Sequence, residues 1–235
     1  MTLRRVGHKG ADLIAPGNTI ASFDAALAAG VDMIEFDVLP DRNDPGRLIL
    51  AHDYEDAARR SAPTLEQGLE HLTSERFAGI ELDVDLKLPG YEARVIEALH
   101  AYRVADRALV CSQYRSSLET LRGIDPAVRL GWSVPKIRRD PFKSPVLAVP
   151  ALFILQAMRV ALPSQAARAI RARRCDALMA HWRLVTPRLV RAVHAADGEL
   201  YVWTVDELPR IRKLEALGVT GVITNDPRLF AALAA

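Results

Sequence analysis

The sequence predicts an α/β fold, a (β/α)8 barrel, from three observations. Apolar strand-like runs recur through all 235 residues, helical patterns with recognisable ends fall between most of them, and the chemistry-bearing residues gather where the runs end. The runs lie at 4–8, 33–39, 48–52, 79–87, 108–112, 129–134, 177–181, 200–205 and 220–224, one too many for eight strands. Only Pro-Asp-Arg-Asn-Asp-Pro-Gly-Arg at 40–47 separates the second run from the third. A parallel crossover needs about a dozen residues or more, whereas a hairpin needs few. Residues 48–52 are therefore predicted to return antiparallel, as a short β-hairpin flap after the second strand. Eight barrel strands remain, and the site belongs at their C-terminal ends.

The helices are placed by their ends. Asn18 is expected to cap 19–29, which stops at Gly30. Thr64-Leu-Glu-Gln67 has capping-box spacing. Thr186-Pro187 offers an N-cap followed by a proline at the first helical position, and Asp206 is expected to cap a helix running to Gly218.

With 50% hydrophobic residues the chain can bury one large core, and residues 1–235 read as a single domain. A net charge of +2 from balanced acids and bases argues against a nucleic-acid partner. Arg168, Arg171, Arg173 and Arg174 have the spacing of a solvated helix face. Cys111 and Cys175 sit in apolar strand-like contexts and read as buried thiols rather than a disulfide framework. MTLRRVGHKG carries no apolar signal region, so the cytoplasm is the expected compartment. The most apolar stretch, 145–162, holds two prolines and Arg159, which argues against a stable membrane span. A buried helix is the preferred reading of it and an apolar lip beside the active site the other. Oligomeric state leaves no mark in the sequence.

Two patches carry the chemistry: Gly-His-Lys-Gly at 7–10 and Ile-Glu-Phe-Asp-Val at 34–38. Glu35 and Asp37, two apart on a strand, leave the same face and form half of a hard-metal site. Glu81, Asp83, Asp85 and Lys87 share one face by the same period, alternating with Leu82, Val84 and Leu86. Barrel strands have helices outside them, so the charged set should face inward and be mutually neutralised. His52, at the end of the flap, joins His8 at the mouth. Trp203 and His181 are each read equally as pocket wall or core, Asp83 rivals Asp85 as a ligand, and His71, His100 and His194 should be exposed on helices.

These residues together resemble the glycerophosphodiester phosphodiesterases, TIM-barrel enzymes related by fold to sphingomyelinase D. That family reads His-Arg-Gly, Pro-Glu-Asn-Thr, Glu-x-Asp-Val, His-Asp, Glu-x-Lys, and late Trp-Thr and Thr-Asp-x-Pro segments. The matching positions are His8-Lys9-Gly10, Pro16-Gly17-Asn18-Thr19, Glu35-Phe36-Asp37-Val38, His52-Asp53, Asp85-Leu86-Lys87, Trp203-Thr204 and Thr224-Asn225-Asp226-Pro227, in order along essentially the whole chain. The resemblance implies one divalent cation, Mg²⁺ or Ca²⁺, on Glu35, Asp37 and Asp85. It implies His8 and His52 as the acid–base pair, and Lys9, Lys87 and Trp203 are expected to contact the substrate. Three departures stand out: Lys9 replaces arginine, Gly17 replaces glutamate and Asp85 replaces glutamate. The expected reaction is hydrolysis of a glycerophosphodiester to glycerol 3-phosphate and an alcohol. The alternatives are a lysophospholipase D, acting by water or through a cyclic phosphate formed by the substrate's own hydroxyl, whose acyl chain 145–162 would cradle; an aldolase using Lys87 as Schiff base; and a non-catalytic phosphoester-binding barrel.

Overall fold

The computed structural model describes residues 2–44, 46–136 and 145–233, with side chains in its longest helix described from residue 150. Strands β1 (Arg4–Gly7), β2 (Met33–Pro40), β4 (Glu81–Leu86), β5 (Ala108–Ser112), β6 (Arg129–Val134), β7 (Ala177–His181), β8 (Glu199–Trp203) and β9 (Gly221–Thr224) pair parallel in one sheet. Pairing of β1 with both β9 and β2 closes it into a barrel. Strand β3 (Leu48–Leu50) is the predicted flap, running antiparallel along β2 with Val38 opposite Leu50. Its hairpin cannot hold a crossover helix, so it stays outside the ring. The helices between the strands are α1 (Ile20–Ala28), α2 (Tyr54–Arg59), α3 (Leu65–Leu72), α4 (Glu92–Ala101), α5 (Arg115–Ile124), α6 (Pro145–Arg171), α7 (Pro187–His194) and α8 (Leu208–Leu217).

Two hydrophobic layers hold the barrel. Outward-facing strand residues such as Leu82, Val84 and Leu86 are buried against the helices, each contributing roughly 1.5–3 kcal/mol of transfer free energy. Inside the ring, Val6, Met33, Leu109, Cys111, Met179, Tyr201 and Ile223 form a second cluster. Below it the N-terminal rim is charged: Arg129 donates to Glu81 at 2.9 Å and Glu199 at 2.5 Å, and Arg4 also pairs with Glu81. The acidic face of β4 is thus neutralised at both ends, at the bottom by arginines and at the top by Lys87.

The capping box at Thr64/Gln67 and the Thr186 cap form as predicted. Two expected caps do not. Thr19 caps α1 in a capping box with Ser22, while Asn18, at φ 58°, turns its side chain into the barrel mouth. Glu207 occupies the cap position of α8, and Asp206 bonds to Thr224 and Asn225 instead. In both cases a tertiary partner outbids the local backbone for the same polar side chain.

The buried-helix reading of 145–162 holds only in part over residues 150–160 of α6, where Ala151 is buried and Leu155 and Met158 pack on the core while Leu152, Phe153, Ile154 and Val160 are exposed. The 27 residues of α6 span about 40 Å at 1.5 Å each, far longer than barrel strands of about 20 Å. The excess overhangs the mouth, leaving Leu152, Phe153 and Ile154 exposed, whereas Leu162, Ala166 and Ile170 pack on the core. Arg168, Arg171, Arg173 and Arg174 are solvated, and Cys111 and Cys175 are buried free thiols.

Gly131 faces the inner cluster, where an added methyl would collide with Cys111 Sγ and press on Met179. Gly131→Ala should therefore destabilise the fold by about 1–3 kcal/mol in denaturant unfolding at constant m-value. An unchanged midpoint would show that the inner layer has slack.

Candidate active site

The C-terminal ends of the strands converge as the sequence predicted. The ends of β1 and β2 bring His8, Glu35 and Asp37 to the mouth, and β4 with the residue after it brings Asp85 and Lys87. Parallel register sets Asp37 directly beside Asp85 and Glu35 beside Asp83. One carboxylate oxygen each from Glu35, Asp37 and Asp85 lies within 4.8 Å of the other two. Lys87 Nζ pairs with Asp37 Oδ1 and, at 2.5 Å, with Asp85 Oδ2. His52, on the exit of the flap, brings Nδ1 to 3.4 Å from Asp37 Oδ2. Glu35 Oε2 accepts the Lys9 backbone N–H at 2.7 Å and lies 3.9 Å from His8 Nε2.

A second ring of residues holds this set in place. Asn18, buried and in the left-handed region, donates its Nδ2 to Asp37 Oδ2 at 2.8 Å and accepts the Asp37 backbone N–H at 2.9 Å. Asp206 accepts from Thr224 Oγ1, the Asn225 backbone N–H and Asn225 Nδ2. A carboxylate only accepts, so the Asn225 amide nitrogen faces Asp206 and its Oδ1 faces His8 Nδ1, 2.6 Å away. His8 Nδ1 must then carry the hydrogen, which leaves the Nε2 lone pair at the cavity. Asn18, Asn225 and Asp206 were missed as site residues. The polar Pro-Gly-Asn-Thr and Thr-Asn-Asp-Pro segments were the only available signal, and the side chains read more simply as caps or turns.

Electrostatics divides the cluster. Burial, with Asp37 adding like charge, raises the Glu35 carboxyl well above its ordinary range. Burial would also raise Asp37, but Lys87 and His52 outweigh it and hold Asp37 well below. The same acids overcome burial at Lys87 and keep it firmly protonated, the opposite of what a Schiff-base nucleophile needs. Asp83 is pushed to about 7 by burial, with Asp85 adding to the shift. Burial, reinforced by Lys9, lowers His8 to about 4.

His8, Lys9, Glu35, His52, Asp85 and Lys87 line one cavity of about 790 Å³. Trp203 and His181 form part of its wall, stacked edge to face at 5.2 Å, with Trp203 Nε1 donating to Met179 O at 2.9 Å. Asp83 also reaches the cavity but stands outside the three-carboxylate group. His71, His100 and His194 lie on α3, α4 and α7, away from the cavity; His71 is only half-exposed, being paired with Asp24. The glutamate missing at Gly17 has a local counterpart. Asp12 accepts the Gly17 N–H at 2.9 Å and pairs with Lys9 Nζ at 3.3 Å, and a Cβ at Gly17 would stand 2.5 Å from that carboxylate.

The donor set fits a hard cation. It is all carboxylate, which suits Mg²⁺ or Ca²⁺ over zinc, and Asp85 Oδ1 is buried with no hydrogen-bond partner.

Fold and site together define a (β/α)8 barrel with an acidic, histidine-flanked mouth, the end where barrels of this architecture carry out chemistry. The glycerophosphoryl diester phosphodiesterase family model matches residues 8–62 and 55–229, and the chain belongs to that family. A glycerophosphodiester phosphodiesterase of Caldanaerobacter subterraneus subsp. tengcongensis is 24% identical over 94% of this chain and 93% of its own length. One from Bacillus altitudinis is 26% identical with the same coverage, 94% and 93%. Among solved structures, the glycerophosphodiester phosphodiesterase of Agrobacterium tumefaciens superposes with a TM-score of 0.69 at 20% identity, covering 98% of this chain and 100% of that one. An Oleispira antarctica phosphodiesterase in complex with the product sn-glycerol-3-phosphate gives 0.72 at 19% identity, covering 99% and 98%.

Three clustered acids opposed by one lysine leave excess negative charge, so added Mg²⁺ or Ca²⁺ should raise the melting temperature in proportion to ln(1 + [ion]/Kd). Asp85→Asn should weaken that rise. A melting curve indifferent to both ions in the unaltered chain would remove the cation site.

Proposed function

We propose that the chain hydrolyses glycerophosphodiesters to glycerol 3-phosphate and an alcohol at this mouth, with one Mg²⁺ or Ca²⁺ held by Glu35, Asp37 and Asp85. The observation that carries the reading is the pairing of a histidine fixed in one tautomer with three convergent carboxylates, in a chain of this family. Bound there, the cation would neutralise and orient the phosphoryl oxygens.

His8 is the base. Its Nδ1–H is committed to Asn225, and burial keeps the ring neutral, so Nε2 is free to take the proton of the attacking oxygen. His52 is the acid. Its Nδ1 faces the Asp37 carboxylate, which steadies the ring while Nε2 delivers a proton to the departing alcohol oxygen. Lys87, kept protonated by its acids, and Lys9, tethered by Asp12, face the phosphate with positive charge. Lys9 supplies a point charge where arginine would supply a fork. Trp203 walls the substrate on the far side. Two buried free thiols support a reducing compartment, and the cytoplasm is proposed as the place of reaction.

EDTA should abolish turnover of glycerophosphocholine and added cation restore it. His8→Ala and His52→Ala should each lower kcat by about 10²–10⁴-fold. Full activity after chelation, or in either variant, would defeat this mechanism.

Because His8 is shifted down, its proton-accepting form persists below the ordinary histidine range and is lost only as pH falls through about 4. At saturating cation, kcat/KM should accordingly hold through pH 6 and decline toward that value. An acid limb at the free-histidine value of about 6.5 would contradict the assignment.

A further inference from the structure

Outside the barrel wall, α5 and the C-terminal half of α6 flank β6, with a groove of about 460 Å³ between them. Its floor is apolar. Trp132 turns outward from β6 onto the groove, with Leu118 of α5 and Cys175 beside it, all three buried. Its rim is cationic, with Arg115 at the start of α5, Arg168 in the last turn of α6 and Arg174 just beyond that helix.

The protein leaves this rim largely unneutralised. Arg122, also on α5, pairs with Asp176 at 2.6 Å, yet among the described residues Arg115, Arg168 and Arg174 make no ion pair. Arg168 commits only its Nε, to Ser164 O at 3.2 Å, and Arg115 places its Cζ 4.0 Å from the centre of the Trp132 ring. Glu119 is the one acid lining the groove, so positive charge stays in excess. Trp132 adds a separate sign. It is only 7% exposed, and its indole N–H has no acceptor among the described residues. A buried donor without an acceptor is costly, and the groove is where an acceptor can meet this one.

We infer that this groove is a second ligand site, one for a phosphate monoester. Guanidinium forks pair with phosphate oxygens two at a time, and a dianion with three terminal oxygens engages several forks where a carboxylate engages one. The apolar floor takes the carbons of the ester and strengthens the ion pairs above it by keeping water off them. A groove of about 460 Å³ is large enough for a small ester. The catalytic cavity is separate: Trp132 faces the groove while Ser133, next along β6, faces the cavity, so the barrel wall divides the two. The site stands independently of the phosphodiesterase reading. Under that reading the reaction's own product is a monoester, and its substrate, a diester with a single phosphate charge, is the weaker ligand.

Binding is read at Trp132 itself, from its indole nitrogen–proton NMR resonance in the full chain without added divalent cation. Trp132→Phe assigns the signal by removing it. Glycerol 3-phosphate and inorganic phosphate should each shift the resonance saturably, with a Kd of about 1 mM or tighter, and glycerophosphocholine should bind about tenfold more weakly. Arg168→Ala/Arg174→Ala alters two exposed side chains, so the melting temperature should hold while Kd rises about tenfold or more. Arg168→Lys/Arg174→Lys keeps the charge without the forks and should recover only part of that loss. A resonance that stays put with both phosphates, that moves as far with sodium chloride at matched ionic strength, or that moves equally in the alanine variant overturns the site. Binding of inorganic phosphate without glycerol 3-phosphate overturns the ester assignment. Since no turnover is read, none of these outcomes bears on the phosphodiesterase reading.

Discussion

Everything at the mouth depends on Lys87 standing between Asp37 and Asp85. Three carboxylates crowd the ends of two adjacent strands, and the cost of burying them unpaired exceeds what one domain can absorb. One ammonium, itself only partly exposed, holds the two aspartates together. Removing it alone would leave both charges stranded, a loss of about 3–5 kcal/mol in comparable buried pairs. The same lysine leaves an oxygen of Asp85 without a partner, and so leaves a place where a cation can contribute.

Around that contact the two histidines are treated differently. His8 is enclosed and fixed through Asn225 to Asp206, so its ring has one tautomer and one free lone pair. His52 sits on a flap, half its side chain open to solvent, with Asp37 as its partner. A closed base and an open acid let a single carboxylate, Asp37, serve both the cation site and the proton donor. The left-handed Asn18 keeps that carboxylate aimed, bonding both its side chain and its backbone.

The apolar end of the cavity follows from a mismatch of lengths. Helix α6 is too long for the barrel wall, and its overhang turns what would be core into an exposed lip. Leu162, Ala166 and Ile170 anchor the helix on the core, with Leu155 and Met158 only partly buried, so the stretch around 150–158 is shared between core and cavity wall.

The barrel, its eight-strand count, the flap and the acidic face of β4 were legible in the chain, because period-two alternation and short connections are local facts. The meeting of His8, Glu35, Asp37, Asp85 and Lys87 was legible too, because residues at the C-terminal ends of strands in a barrel have nowhere else to go, and the short flap returning along β2 brought His52 to them. The partners of bivalent polar side chains were settled by the closed barrel alone. Asn18 and Asp206 read as helix caps, yet each bonds a residue of the mouth across 19 residues of chain. The closed barrel also decided that Asp12 stands beside Gly17, and that α6 packs only in part. Capping, pairing and burial compete at nearly equal free energies for such groups, and the winner is set by which neighbour the finished barrel brings within reach.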